Sequence, residues 1–376
     1  MRYIFTLTLT IICIFSISTI TLAQTENPDE GSEQIGKVIE IIKESTDGTL
    51  EQFNQLNKVQ TVKIKIESGD ENGKIITTDN VLSGNPAYDI PVKKGDKVIL
   101  NVENTNGKKE YNVENLYRLP MLLILLSIFV LLVLIFGGKT GLKSLLSLAF
   151  TYFLIFYFLI PYILDGFPPL LITILVSLVA TCATIFIITG INSKSLSAII
   201  GTIGGVLAAG LMAIITIKLA PLTGLPNHEA IGLWTQFPDL DFKGILASAM
   251  IIGALGASMD VAISIASSMY EVKQANTLIN IKELIKSGMN VGKDVMGTMT
   301  NTLLLAYTGS GIFLILIAYN NVSVLKLLNL DSVVTEITAA LAGSIGLVLC
   351  IPITAIVGGY LIGISNKMDA AKNNAN

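Results

Sequence analysis

The chain is short of the residues that carry much of enzyme chemistry. One histidine, His228, and three cysteines, Cys13, Cys182 and Cys350, are spread over 376 residues. A single histidine rules out a His-Glu-x-x-His zinc site, which needs two on one helix face. His228 stands in the polar stretch TGLPNHEAIGLWTQFPDLDF, away from the apolar runs, and is expected to be solvated. All three cysteines lie in apolar runs, where a free thiol behaves as a small hydrophobe, so none staples the polar part of the chain. Charge is scarce too, at 14% of residues against 52% hydrophobic, where soluble domains carry roughly 25% charged residues. This composition excludes a fully soluble enzyme and fits a membrane protein.

The charges present are concentrated. Residues 24–117 hold 17 of the 28 acidic and 11 of the 25 basic residues, a balance of −6. That segment reads as one water-soluble domain. Ahead of it stands MRYIFTLTLTIICIFSISTITLAQ, in which early Arg2, an apolar stretch and Thr21-Leu22-Ala23 fit a signal peptide over residues 1–23. The stretch is also long enough for an uncleaved signal anchor. Either reading exports the polar domain.

Residues 24–57 are polar and read as holding a short helix. Beyond them TVKIKIES alternates Val62, Ile64 and Ile66 with charged residues, and KKGDKVILNVE places Val98, Leu100 and Val102 on alternate positions after a Gly95-Asp96 turn. Asn72-Gly73 marks another turn. Short strands at this spacing predict a small exported β-barrel or sandwich, of OB-like type. It lacks the interleaved aromatic and basic residues of a nucleic-acid surface, so no nucleic-acid partner is expected. It also lacks histidine and cysteine for a transition metal, and no cofactor is implied. An envelope protein partner or a spacer role suits it better.

Seven apolar runs come next, near 119–136, 144–164, 170–190, 196–217, 244–266, 294–319 and 334–363. Only helices satisfy their own backbone inside such segments, which predicts an α-helical polytopic membrane bundle over residues 118–364 and a tail at 365–376. With 24–117 outside, the joints expected in the cytosol hold Lys139, Lys143, Lys194, Lys273, Lys282, Lys286, Lys293, Lys367 and Lys372. The opposite joints hold only Lys218, Lys243 and Lys326. Nine against three agrees with the positive-inside bias and puts the C-terminus in the cytosol. In NTLINIKELIKSG, Leu278, Ile281 and Ile285 recur at helical spacing. That suits a helix lying in the interface, or equally one packed on the bundle.

Against this background Asp260 stands out, since a carboxylate at a helix centre costs about 2.5–3.5 kcal/mol on insertion scales unless partnered or wet. Gly253, Gly256, Asp260, Ser264 and Ser267 share one helix face, where glycines permit close approach and serines hydrogen-bond. In the next run Asp294, Asn301 and Thr308 repeat every seven residues, with Gly297 and Thr298 between the first two. If Asp294 opens that helix, Asp260 and Asn301 lie roughly 10 Å deep from the same side. Asp260 is then expected to meet Asn301 and Thr298. Gly201, Gly204 and Gly205 in IIGTIGGVL read as a close-packing face, and Glu336 as reaching headgroups at the end of the last run.

GALGASMDVAISIASS, DVMGTMTNTLLLAYTG, NVLSGNPAYDIPVKKGDKVIL and TGLKSLLSLAFTYF together resemble the YibE/F-like family of bacterial membrane proteins, over about residues 36–363. The resemblance implies a multi-pass protein of the cytoplasmic membrane with an exported N-terminal β domain. Transport is the role suggested for such proteins, and the resemblance assigns no role to Asp260, Asp294 or Asn301. Two functions are therefore expected in order of preference. The first is a secondary transporter or permease of a small solute or ion, proton- or cation-coupled, with Asp260 as coupling group, Asn301, Thr298, Ser264 and Thr308 along the path and Asp294 at its mouth. The second is a non-transporting envelope assembly or sensing protein. An enzyme is not expected: the Gly-x-Gly-Asp phrase of intramembrane aspartyl proteases is absent. GGKTG at 137–141 also has Val133 where a Walker A loop needs glycine.

Overall fold

The computed structural model describes residues 32–47, 57–69, 71–85, 87–105, 108–321 and 323–373. The leader at 1–23, with Cys13, lies outside them. The chain forms two compact units, Met1–Leu132 and Val133–Asn376.

In the first unit, strands β1 (Ser32–Asp47), β2 (Asn57–Ile66), β3 (Ile75–Leu82), β4 (Lys97–Thr105) and β5 (Lys108–Leu116) make one antiparallel sheet in the order β3-β2-β1-β4-β5. The alternation read in the sequence is the pleat itself, with Val62, Ile64, Ile66, Val98 and Leu100 in one core and Val102 buried as well. β1 corrects the expected helix. Its pairing with β2 shifts register between Val38 and Glu40 and again between Ile41 and Lys43. Each bulge adds a residue, so the inward positions Val38 and Ile41 fall three apart and imitate a helical period.

The sheet curls into a half-barrel, and no backbone ladder joins edge strands β3 and β5. Side chains bridge the gap: Thr78 Oγ1 donates to the Tyr111 carbonyl, the Tyr111 hydroxyl donates to Glu71, and Lys74 and Lys109 reach Glu71 at 3.1 and 3.3 Å. The Tyr111 hydrogen bond, followed by that of Lys74, lowers the Glu71 pKa from the ordinary 4.5 to about 2. A depressed carboxylate stabilises the fold above its unfolded pKa and loses that contribution as pH falls through the folded value. Thermal stability of the half-barrel should therefore decline between about pH 4.5 and 2, and Glu71→Gln should flatten that part of the profile. A melt series across this range checks it; identical slopes for the two proteins would refute the assignment.

Next comes α1 (Leu119–Leu164), with a π-helical turn at Ile155–Leu159 and a break at Gly138, where φ is 51° and ψ is −127°. A Cβ on Gly141 would collide with the Val133 carbonyl. Residues eight apart lie roughly 12 Å apart along a straight helix, so the chain bends sharply here. Nothing stands within 4 Å of a Cβ at Gly138, so glycine is required there by backbone angle alone. This is the structural use of GGKTG.

The remaining helices are α2 (Pro169–Thr189), α3 (Ser193–Leu219), α4 (His228–Gln236), α5 (Phe242–Ala275), α6 (Ile281–Ser310), α7 (Ile312–Asn321), α8 (Val324–Leu327) and α9 (Asp331–Asn373). Among the described residues, five helical stretches are long and apolar enough to cross a membrane: α1, α2, α3, α5 and α9 over Asp331–Ile364. Seven apolar runs do not make seven such helices, for two reasons. The runs 119–136 and 144–164 share α1 on either side of its break. The run 294–319 is divided at Gly311 between α6 and α7, and α6 carries many polar side chains.

In the second unit α9 packs against α3, α5 and α6. Gly204 and Gly205 let α3 approach closely: a Cβ would come within 2.6 Å of Ile353 Cδ1 and 2.8 Å of the Gly346 carbonyl oxygen, respectively. Gly201 meets Thr354 in the same way. The hydroxyls of the bundle mostly serve their own helices. Thr181 donates to the Ser177 carbonyl at 2.7 Å, Ser197 to Ser193 at 2.7 Å, Ser344 to Ala340 at 2.8 Å and Thr354 to Cys350 at 2.8 Å. Away from the helix ends, the bond between helices among the described residues is Cys350 Sγ to the Ser258 carbonyl, 3.3 Å. The buried hydroxyls of Thr202, Ser248, Ser258 and Thr335 have no hydrogen-bond partner.

Candidate functional site

The joint between α5 and α6 sets the level of every polar residue on both helices. Asn280 caps α6, its side chain accepting from the Glu283 amide at 2.8 Å. Lys273, near the end of α5, is only 5% exposed and donates to the carbonyls of Thr277 at 2.8 Å and Ile279 at 3.2 Å. Its charge closes the turn rather than meeting headgroups. Leu278 lies in that turn and is exposed, while Ile281 and Ile285 face Gly363 and Gly359 of α9. The NIKELIKSG stretch is thus the packed first part of α6, not a separate interfacial helix.

α5 and α6 are antiparallel neighbours, and their register can be read from glycine contacts. Gly288 lies against Met269, Gly292 has Ile265 Cδ1 3.2 Å from a Cβ position, and the Tyr307 hydroxyl lies 2.6 Å from a Cβ position on Gly253. Interpolating between these contacts puts Asp294 level with Ser264, Asp260 level with Gly297 and Thr298, and Asn301 level with Ser258. Because α6 begins at Ile281 and not at Asp294, Asn301 sits beyond Asp260, by less than one turn.

The facing is equally informative. α6 turns Leu284, Gly288 and Gly292 inward, with Val295, Met296 and Met299 packed on the same core. The Asp294, Gly297, Thr298, Asn301 and Thr308 row lies on the opposite face and is exposed. On α5, Gly256, Asp260 and Ser264 are exposed too, and Ser267 is half-buried. No atom stands within 4 Å of a Cβ position on Gly256 or Gly297. Among the described residues the Asp260 carboxylate has no hydrogen-bond or ion-pair partner, and Ser264 Oγ donates instead to the Asp260 backbone carbonyl at 2.8 Å. The chain thus brings the two helices together and leaves both polar rows facing outward, with Asp260 and Asn301 unjoined.

Two further residues gather where the rows end. Thr308, the last member of the α6 row, lines a cavity of about 280 Å³ together with Tyr307 and Glu336. Tyr307 carried no sequence signal, and Glu336 lines this cavity rather than simply reaching outward. Their separation of 29 positions hides the pairing from any local pattern. Among the described residues no group of three or more histidine, cysteine, aspartate or glutamate side chains is placed to hold a metal, and His228 is exposed on α4.

Comparison with known families matches the chain in two parts, one over the sheet and one over most of the helices. Residues 31–116 match the YibE/F family N-terminal domain, and residues 125–363 match the YibE/F-like protein family. No curated protein and no solved structure shows a match. The half-barrel lies within the first match and the α5–α6 faces and the cavity within the second, so the chain belongs to the YibE/F-like family as one of its membrane-embedded members.

Proposed function

We propose that the chain is a secondary transporter or permease subunit for a small solute or ion, with the outward polar faces of α5 and α6 forming one wall of the path. The observation that supports this most is the unpartnered Asp260 beside open Gly256 and Gly297 on helices of a membrane bundle. Lipid cannot solvate such a group, so water, solute or a second protein surface must complete the wall. In this reading Asp260 takes up and releases the coupling proton or cation. Thr298, Ser264 and Asn301 offer oxygen ligands at and next to its level, and Asp294 stands at the mouth.

In this reading the membrane is the bacterial cytoplasmic one, with the half-barrel outside and the C-terminus in the cytosol, which the lysine asymmetry of the joints supports. Removing buried Lys273 from that comparison leaves eight against three, with the same sign.

Reconstitution in liposomes tests the reading. The intact chain should carry proton or cation flux, and Asp260→Asn should reduce it to the empty-liposome level while eluting as a folded protein. Equal flux in the two would remove Asp260 from the path. A second reading, an assembly or sensing protein, is favoured by the open barrel: edge strand β3 is unclosed and exposes Ile75 and Val81. Crosslinking from β3 to one reproducible envelope partner, without flux, would select it.

A further inference from the structure

The geometry points to a binding site for an apolar-bodied monovalent cation, of the quaternary-ammonium type, in the cavity between α6, α7, α8 and α9. Its volume is about 280 Å³, near the lower end of the roughly 300–1,000 Å³ usual for small-molecule sites. Leu304, Ile337 and Leu341 supply apolar wall, and Glu336 is the one charged residue lining it. Among the described residues, no hydrogen bond or ion pair engages the Glu336 carboxylate. An unpaired carboxylate at membrane level calls for a cationic partner, and neither a lysine nor an arginine lines the cavity to provide one.

Tyr307 makes the site selective. Its hydroxyl packs over Gly253 of α5, and the residue also lines the cavity. An aromatic residue and a carboxylate lining one apolar-walled cavity suit a poorly hydrated cation better than a small, strongly hydrated metal ion. Thr308 adds a single oxygen, although its hydroxyl hydrogen already goes to the Leu304 carbonyl at 2.8 Å. The donor set is therefore too sparse for a bare metal cation and sufficient for an alkylammonium. This inference stands apart from the transport reading, because it needs neither flux nor Asp260, Asp294 and Asn301.

The test is equilibrium dialysis of benzyltrimethylammonium against the full chain in detergent micelles, with neopentylbenzene as the uncharged isostere. Saturable binding of the cation is expected, weakened about tenfold or more by Glu336→Gln and restored in Glu336→Asp. Tyr307→Leu should weaken it several-fold and Tyr307→Phe, which keeps the ring, should not. The tyrosine pair decides the matter if Glu336→Gln fails to elute as folded protein. Absence of saturable binding would overturn the inference. So would equal binding by Glu336→Gln, or competition by neopentylbenzene as strong as by the cation itself, which would mark an apolar lipid-filled space.

Discussion

Gly205→Leu should destabilise the helical bundle by about 1–3 kcal/mol or more, the range for forcing extra volume into a packed interior. At Gly205 a Cβ would stand 2.8 Å from Cys350 Cβ, 2.8 Å from the Gly346 carbonyl oxygen and 3.0 Å from Ser258 Oγ. The arrangement is reciprocal, because a Cβ on Gly346 would stand 2.6 Å from the Gly205 carbonyl oxygen and 2.7 Å from Ala209 Cβ. Two of these obstacles are main-chain oxygens, which cannot rotate aside as a side chain would. A leucine at Gly205 therefore has to push α3 off α9, and α9 also seats α5 and α6. Melting in detergent should show a lower midpoint and a smaller monodisperse fraction, with Gly205→Ala intermediate. Gly256→Leu supplies the contrast, since its Cβ would meet nothing within 4 Å. Similar melting of the Gly205 and Gly256 variants would contradict the close-packing account.

The second large effect lies in the half-barrel. Ile64→Ala should cost about 2–5 kcal/mol, as for other fully buried large-to-small changes. A domain of this size is held by only about 5–15 kcal/mol in total, so a substantial part of its stability would go. Ile64 has no exposed surface and fills the space over Gly36, where a Cβ would collide with Ile64 Cγ2 and stand 3.0 Å from Leu100 Cδ1. The two positions are therefore coupled. Gly36→Ala alone should destabilise, yet in the Ile64→Ala background it should recover part of the loss by refilling the vacated volume. Protease resistance of the half-barrel in the intact chain, titrated with urea, reads all four states. Simple additivity of the two substitutions would disprove the shared contact.

Much of the fold was legible from residue order where a local rule operates. Alternation in β2 and β4 located the sheet core, and uninterrupted apolar runs located α2, α3, α5 and α9. The rule failed at β1, where two bulges changed the period from two to three, and at Gly138, where the backbone of one residue decides how α1 proceeds. The α6 polar row shows a different boundary. Spacing of seven correctly groups Asp294, Asn301 and Thr308 on one face, but says nothing about what that face meets. Its direction was settled by Gly288, Gly292 and Met296, which offer a better fit to α5 and α9 than the polar row does. Tyr307 and Glu336 come together only through the packing of α6 against α9, so their shared cavity has no trace in either local sequence.

The hydroxyls that donate within their own helices have a consequence for how the membrane part fails. With few directional bonds and, among the described residues, no charge pair spanning neighbouring helices in its interior, the bundle's cohesion rests on complementary contours. Such a body should be indifferent to salt concentration and to mild acid, while remaining sensitive to a single added methyl group. The half-barrel, stitched by Glu71, Lys74 and Tyr111, should respond to acid and salt in addition to changes in its packed core. One chain thus combines a portion that answers to ionic conditions as well as to steric fit with another governed by steric fit.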